Sequence, residues 1–187
     1  MNRVQLINSF SPSRYLEIGV YKGWSLNGVV ADVKDSVDPD ETTPAKYHMT
    51  SDDFFANVAP TLSYKYNVIF IDGLHHSDQV NRDIANALQY TEDDGIIVLH
   101  DCNPESEMRQ RVPADFDIYE YGWNGDVWKS VVWARQTYDY NIYVIDADEG
   151  LGVIDKRSKG TPLTLEIPDT LTYEFLDMHR GELLNLQ

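Results

Sequence analysis

Two apolar segments that each end on an aspartate constrain the fold of this chain more than any other feature. Residues 66–72 and 95–101 are rich in Val, Ile, Leu and Phe, and they finish at Asp72 and Asp101. Nearly continuous apolar runs of this length are typical of strands that are buried on both faces of a parallel sheet. The sequence therefore predicts a parallel sheet with residues 66–72 at its centre.

The segment between these two strands predicts the helix that a parallel crossover needs. Apolar residues recur at helical spacing over residues 80–88, polar residues occupy the opposite face, and Ser77 is a candidate N-cap. Strands joined by one crossover helix are usually neighbours in the sheet. We therefore expect the carboxylates of Asp72 and Asp101 to lie within several ångströms of each other.

Five further segments have β-strand character and bring the predicted sheet to seven strands: residues 14–19, 36–38, 47–49, 141–146 and 151–155. Only residues 147–150 join the last two. Because a parallel connection needs a dozen or more residues, this pair is predicted to be an antiparallel hairpin. The predicted fold class is α/β, with a mostly parallel sheet in which one strand runs against the others.

Further helices are predicted on either side of these strands. Ser51 or Asp52 is a candidate N-cap for a helix over 53–59, and Asp126 for a helix over 127–138. A helix is also predicted in the tail, with its apolar face formed by Leu171, Phe175 and Met178.

Size, charge and cysteine content narrow the class of protein and its partners. The 187 residues suit one domain, with a core over 14–155 and a tail over 156–187. Acidic residues number 31 and basic residues 15, and the formal charge of −16 argues against nucleic acid and membrane surfaces as partners. A single cysteine, Cys102, and the lack of a signal-peptide core favour the cytoplasm.

The residues that follow the first strand indicate a nucleoside site, because ligands of open parallel sheets bind beyond the carboxyl ends of the strands. Gly19 and Gly23 allow a tight turn there, and Asp38 ends the second strand about 20 residues later, where a carboxylate can accept both hydroxyls of a ribose. Position 21 is a tyrosine rather than the central glycine of a dinucleotide fingerprint. This departure disfavours a nicotinamide cofactor.

Taken together, these motifs resemble the class I S-adenosylmethionine-dependent methyltransferases, in the compact group related to macrocin-type small-molecule O-methyltransferases. Residues 17–23 resemble the first cofactor motif, and residues 71–75 and 100–101 resemble the D-G-x-H and H-D signatures of the family. The reversed strand of the predicted hairpin agrees with the family's reversed seventh strand. The resemblance covers residues 14–155 and implies a Rossmann-like three-layer sandwich.

The resemblance implies S-adenosyl-L-methionine as the cofactor and a small-molecule hydroxyl as the acceptor. Asp38 would bind the ribose, and Ser51 and Asp52 would contact the adenine. The full set of cofactor-binding residues that it implies is Glu17, Gly19, Gly23, Asp38, Ser51, Asp52 and Asp72.

Asp72 and Asp101 are also candidate ligands of a divalent cation. In related metal-dependent O-methyltransferases, acids at these strand ends hold Mg²⁺, which binds the acceptor oxygen and lowers its pKa. This chain has His100 where some of those enzymes carry a second acid, and a neutral imidazole suits Mg²⁺ less well than a carboxylate. Metal dependence therefore stays open.

His75, His76 and Asp101 are the candidate catalytic residues. An imidazole accepts a hydroxyl proton readily near neutral pH, so one of the two histidines is the candidate base. The alternative is that both histidines cap a helix or hydrogen-bond to Asp101. Residues 102–125 are interpreted as a functional loop over the sheet edge. Their aromatic side chains, and Trp128 just beyond, either close an acceptor pocket or belong to the core.

Two other functions stay open at this point. One is a Rossmann-type, nucleotide-dependent oxidoreductase, and the other is a domain that binds the cofactor as a scaffold without catalysis. Neither the identity of the acceptor nor the formation of a homodimer is settled by the sequence.

Overall fold

The computed structural model describes residues 1–187 and contains one six-stranded sheet with helices on both faces. Its strands are β1 Arg14–Ile18, β2 Val33–Val37, β3 Tyr66–Ile71, β4 Thr91–Leu99, β5 Asn141–Ile145 and β6 Leu151–Asp155. Their order across the sheet is β2-β1-β3-β4-β6-β5. As predicted, β3 occupies a central position between β1 and β4.

Seven α-helices accompany the sheet: α1 Arg3–Ser9, α2 Trp24–Gly28, α3 Ser51–Asp53, α4 Ser77–Tyr90, α5 Ile118–Tyr121, α6 Trp128–Thr137 and α7 Tyr173–Leu184. A π-helical turn over Phe54–Val58 and a 3₁₀ turn over Ala59–Thr61 continue α3. None of these helices combines the length and apolar character needed to cross a membrane.

The strand directions confirm the predicted hairpin. Strands β1 to β4 are parallel, whereas β6 is antiparallel to both of its neighbours, β4 and β5. Because β6 is the reversed strand, the turn between β5 and β6 lies at the edge of the sheet where the parallel strands end. This turn therefore shares an edge with the predicted functional residues.

The predicted strand over residues 47–49 is wrong, so the sheet has six strands rather than seven. Tyr47 forms only an isolated parallel bridge with Val37 of β2. Side-chain contacts take the place of a regular ladder here: Lys46 Nζ donates to Asp35 over 2.6 Å, and the Lys46 amide donates to Ser36 Oγ over 2.9 Å.

Both faces of the sheet are buried, but to different extents. A cluster of 26 buried residues includes Ile69 and Ile71 of β3 together with residues of the π-helical turn, α4, α6 and α7, whereas the cluster on the opposite face has 10 buried residues, among them Val68 and Phe70. Each fully buried side chain of this type stabilises the fold by about 1.5–3 kcal/mol. The smaller cluster also contains Leu6 and Ile7, which hold α1 against the sheet.

The predicted caps at Ser77 and Asp126 are wrong in an informative way. Ser77 is the first helical residue of α4, and the Asp126 carboxylate accepts from the Ser77 amide over 2.7 Å and from its hydroxyl over 3.0 Å. Asp126 therefore caps the neighbouring helix α4 instead of its own helix α6. A side chain just before α6 thus accepts from a free amide in the first turn of α4.

The apolar face predicted for the tail helix is right for Leu171 and Phe175, which pack against the larger buried cluster, and wrong for Met178. Helix α7 buries Leu176, Leu183 and Leu184, whereas the Met178 side chain is 64% exposed. His179 has non-helical torsion angles (φ −123°, ψ 15°). This kink rotates the second half of the helix, so a single helical period cannot describe which residues it buries.

Candidate active site

The turn after β1 lies directly against the end of β3. Gly19 has a positive φ of 84°, and a Cβ atom at this position would lie 2.1 Å from the carbonyl oxygen of Asp72. Only glycine fits such a close approach of two backbones. The turn over residues 19–23 and the predicted acid of β3 therefore form one continuous surface.

The Asp38 side chain, which follows β2, forms hydrogen bonds with the turn over residues 19–23. Its Oδ2 atom accepts from the amides of Val20 and Tyr21 over 2.8 and 3.1 Å, and its Oδ1 atom accepts from the Asp40 amide over 2.9 Å. Pro44 packs against Gly23 from the same loop. The structure thus brings together the glycine turn and the carboxylate that the sequence pairs.

Glu17 lies beneath the turn rather than on its open side. The side chain is buried, and the Tyr15 hydroxyl donates to its Oε2 atom over 2.7 Å. Burial opposes the charged form and raises the pKa of Glu17 to about 8. Among the predicted cofactor-binding residues, this one supports the turn from inside the protein.

Ser51 and Asp52 form the first turn of α3, although Thr50, and not either of them, is its N-cap. Gln79 of α4 donates to Ser51 Oγ over 3.2 Å and to Asp52 Oδ1 over 3.3 Å. These contacts link the predicted adenine-contacting residues to the helix that leaves β3.

The two predicted acids meet at the ends of β3 and β4, together with two imidazoles. His75 Nε2 lies 3.6 Å from Asp72 Oδ1 and 3.4 Å from Asp101 Oδ2. His100 Nδ1 lies 2.6 Å from Asp101 Oδ2 and 3.3 Å from Asp72 Oδ1. The predicted closeness of Asp72 and Asp101 is confirmed.

The close packing of these groups shifts their protonation equilibria. Burial opposes a charged His100, but the charge of Asp72 and hydrogen bonds to Asp101 and Asp148 raise its pKa to about 12. Burial likewise favours a neutral Asp72, but the two imidazoles outweigh it and lower the pKa of this acid. The pKa of His75 is also raised, against burial, by Asp72 and Asp101. The cluster therefore favours an ionised Asp72 beside a positively charged His100, and the raised pKa makes a neutral His75 a stronger proton acceptor.

The structure distinguishes the two predicted histidines. His75 Nδ1 lies 3.0 Å from the carbonyl oxygen of Trp123, and the His75 ring stacks on the Trp123 ring with 5.1 Å between centroids. Because a carbonyl oxygen only accepts, Nδ1 carries a proton and Nε2 faces the acids. His76 instead occupies the N-cap position of α4, meets Trp123 edge-on and pairs with neither acid.

The loop over residues 102–125 reaches the site through Asn124. This buried side chain donates from Nδ2 to Asp101 Oδ1 over 2.9 Å. Asp101 has a positive φ of 61°, an unusual conformation for a non-glycine residue. Of the loop aromatics, Trp123 contacts His75, whereas Trp128 is fully buried in the core.

Arg3 and Asp148, like Asn124, were missed by the sequence analysis. Arg3 of α1 donates from Nη1 to Asp72 Oδ2 over 3.0 Å and pairs through Nε with Asp148 Oδ2 over 3.0 Å. Asp148 belongs to the turn between β5 and β6. The reversed direction of β6 could have placed this turn at the active edge, but no sequence pattern singles out Arg3.

Comparison with known proteins finds similarity to methyltransferases. Residues 16–102 match a family model described as a methyltransferase domain. No curated protein matches the chain. Among solved structures, an O-methyltransferase from Bacillus cereus in complex with SAH has a TM-score of 0.57 and 13% identity, and the alignment covers 81% of this chain and 78% of that one.

Two further structures extend this comparison. TomG, an O-methyltransferase from Streptomyces achromogenes involved in tomaymycin synthesis, was solved with SAM; its TM-score is 0.59 at 13% identity, with 81% of this chain and 76% of that chain covered. MycE of the mycinamycin biosynthetic pathway was solved with Mg, SAH and mycinamycin VI. Its TM-score is 0.52 at 15% identity, and the alignment covers 89% of this chain and 50% of MycE.

The sheet order, the glycine turn and the paired acids at one edge define the Rossmann-like fold of a class I methyltransferase. A methyltransferase-domain model matches residues 16–102, so over this segment the chain is similar to the methyltransferases.

Proposed function

We propose that this protein transfers the methyl group of S-adenosyl-L-methionine to a hydroxyl group of a small molecule. One observation carries the proposal: the Gly19 turn, which Asp38 holds in place, abuts the backbone of Asp72, and Asp72 meets His75 and Asp101. A nucleoside-binding surface and a proton-accepting group therefore share one edge of the sheet.

On the donor side, Asp38 has capacity for a ribose beyond the three amides that it accepts. An ionised carboxylate offers about four lone-pair sites, so one site remains to which a ribose hydroxyl can donate. Ser51 and Asp52 would contact the adenine, as the family resemblance implies. S-adenosyl-L-methionine supplies a methyl group on a positively charged sulfur.

On the acceptor side, His75 is the proposed base. Its Nε2 atom takes the hydroxyl proton while the acceptor oxygen attacks the methyl carbon, and the carbon–sulfur bond breaks to leave a neutral thioether. Trp123 holds the ring through the Nδ1 contact and the stack. Alignment of the two reactants can lower such a barrier by about 7–11 kcal/mol, and a placed base contributes about 10²–10⁴-fold.

The donor atoms at this position also fit a divalent cation. Asp72, His75 and Asp101 each offer one ligand atom, and these atoms lie within 4.8 Å of one another. A ligating histidine commonly donates its other ring N–H to a backbone carbonyl, as His75 does to Trp123. In that alternative the cation would be held by these three residues and would itself lower the pKa of the acceptor hydroxyl, and His75 would act as a ligand instead of as the base.

Ligand-induced stabilisation tests the proposal. A ligand at 100 times its Kd stabilises a protein by about 2.7 kcal/mol, which corresponds to an increase in Tm of about 5–10 °C at this size. We expect this increase with S-adenosyl-L-methionine and with S-adenosylhomocysteine, and none with NADH. A response to NADH alone would support the oxidoreductase alternative, and binding without turnover of any hydroxylated acceptor would support the scaffold. Parallel samples with MgCl₂ and with EDTA test for the cation.

A further inference from the structure

We propose that Arg3 is a positioning residue of the active site: its guanidinium joins Asp72 to Asp148 and thereby sets the carboxylate oxygen that faces His75. The role in catalysis rests on the proposed methyl transfer. The geometric role of Arg3 does not depend on it and can be measured separately.

All three guanidinium nitrogens of Arg3 and its backbone amide donate to these two acids. Its Nη1 atom donates to Asp72 over 3.0 Å, and its backbone amide, Nε and Nη2 donate to Asp148 over 2.7, 3.0 and 3.1 Å. A planar guanidinium binds carboxylates in a fixed geometry, which a lysine cannot reproduce. One residue of α1 therefore connects the end of β3 to the turn between β5 and β6.

The contact with Asp72 is selective for one oxygen. Arg3 binds Oδ2, whereas Oδ1 lies toward His75 Nε2 and His100 Nδ1, at 3.6 and 3.3 Å. The Asp72 side chain is 18% exposed and that of Arg3 29%, so the pair is partly shielded from water. Without Arg3 only the two imidazoles would hold the Asp72 carboxylate, both through Oδ1, so the direction of this oxygen toward His75 would be fixed less firmly.

The contact with Asp148 holds a strained turn. Asp148 and Glu149 have positive φ values of 49° and 66°. A non-glycine residue in this conformation is unfavourable and persists only where its surroundings impose it. Arg3 grips Asp148, and Arg109 Nη2 donates to Glu149 over 2.6 Å. Two arginines from distant segments thus fix the shape of this wall of the site.

Helix α1 does not need Arg3 for its own stability. Leu6 and Ile7 are buried, and Asn2 and Gln5 form a reciprocal capping box at its start. Arg3 is the first residue of the helix, where the helix dipole disfavours a cation by about 0.3–1 kcal/mol. Its placement there is explained by the two acids that it reaches rather than by the helix.

The test compares Arg3→Met and Arg3→Lys with Arg14→Met as a matched control. Arg14 forms an ion pair with Glu92 at the start of β1, far along the strand from the active edge. For each variant we would measure Tm, the Kd for S-adenosylhomocysteine, the ¹⁵N signals of the His75 ring, and kcat and KM with a panel of hydroxylated acceptors.

Arg3→Met is expected to shift the His75 ring signals and to lower kcat about 10–100-fold, with partial recovery on addition of methylguanidine. Arg3→Lys should recover less than methylguanidine does, because an ammonium cannot bridge both acids. Asp148→Asn should resemble Arg3→Met, and the double variant should lose less than the two single losses combined. Arg14→Met should match the wild type in every measurement.

Unchanged His75 signals and kcat in a folded Arg3→Met variant would overturn the inference, as would a kcat loss that tracks only a lowered Tm and is not recovered by methylguanidine. If the wild type binds no S-adenosylhomocysteine and turns over no acceptor, the proposed function fails instead. The ¹⁵N signals would still report whether Arg3 orients His75.

Discussion

The two halves of the active edge are built by different kinds of contact. Around Gly19 and Asp38, backbone amides and one carboxylate join residues 17 and 18 positions apart. Around Asp72, charged side chains join residues up to 145 positions apart, as in the pair of Arg3 with Asp148. The first half is encoded in a short stretch of sequence, whereas the second depends on the whole fold.

This contrast predicts that substitutions in the two halves alter different kinetic constants, and the largest effect is expected in the acid–imidazole half. His75→Ala should lower kcat about 10²–10⁴-fold, because the proposed base is lost, and should leave the Kd for S-adenosylhomocysteine near the wild-type value. His76→Ala is the matched control, since His76 is the adjacent residue and pairs with neither acid. Steady-state kinetics and calorimetry measure both quantities. Equal losses in the two variants would contradict the assignment.

A smaller effect of the opposite kind is expected in the glycine-turn half. Asp38→Ala removes charge-assisted hydrogen bonds to Val20 and Tyr21 and the proposed ribose contact. Each such bond is worth about 1.5–3 kcal/mol, so the Kd for S-adenosylhomocysteine should rise about 10–100-fold while kcat at saturation changes little. Asp40→Ala, an exposed residue of the same loop, is the control. An Asp38→Ala protein that binds as tightly as the wild type would remove the case for a ribose site here.

The smallest effect concerns stability beneath the turn. Burial raises the pKa of Glu17 in the folded state to about 8, above its ordinary value of 4.5, so the folded protein binds more protons between these values. Stability is therefore lost as pH rises from about 4.5 to about 8, by up to a few kcal/mol from this residue. Glu17→Gln should reduce this loss, so that its Tm relative to the wild type is higher at pH 9 than at pH 5.

Thermal unfolding across this pH range measures the difference, with Glu92→Gln at the partly exposed Arg14 pair as a control. If the Tm difference between Glu17→Gln and the wild type does not change with pH, the buried carboxyl is not the source of the pH dependence.

The sequence predicted those parts of the fold and site that follow from rules of short range or of topology. The crossover rule placed Asp72 beside Asp101, and the short connection after β5 predicted the hairpin, because both depend only on segment order and length. Of the two candidate histidines, the sequence could not separate His75 from His76. Their roles depend on the carbonyl of Trp123, a residue 48 positions away.

The failures share a physical origin in side-chain contacts between distant segments. Asp126 looks like the cap of its own helix, but its carboxylate binds the amide of Ser77. Arg3 and Asn124 carry no local pattern that marks them as neighbours of the acids. Such contacts depend on side-chain direction in the folded state, which neither periodicity nor spacing encodes.

The reversal of β6 has a consequence for how this enzyme can diversify. A connection of only a few residues places Asp148 and Glu149 at the edge of the active site. A parallel β6 would instead need a long crossover connection back to the opposite edge of the sheet. Insertions between β5 and β6 would therefore reshape the mouth of the cleft while leaving every strand in register. Changes in this turn can therefore alter which acceptor fits while the turn over residues 19–23 and Asp38 stay unchanged.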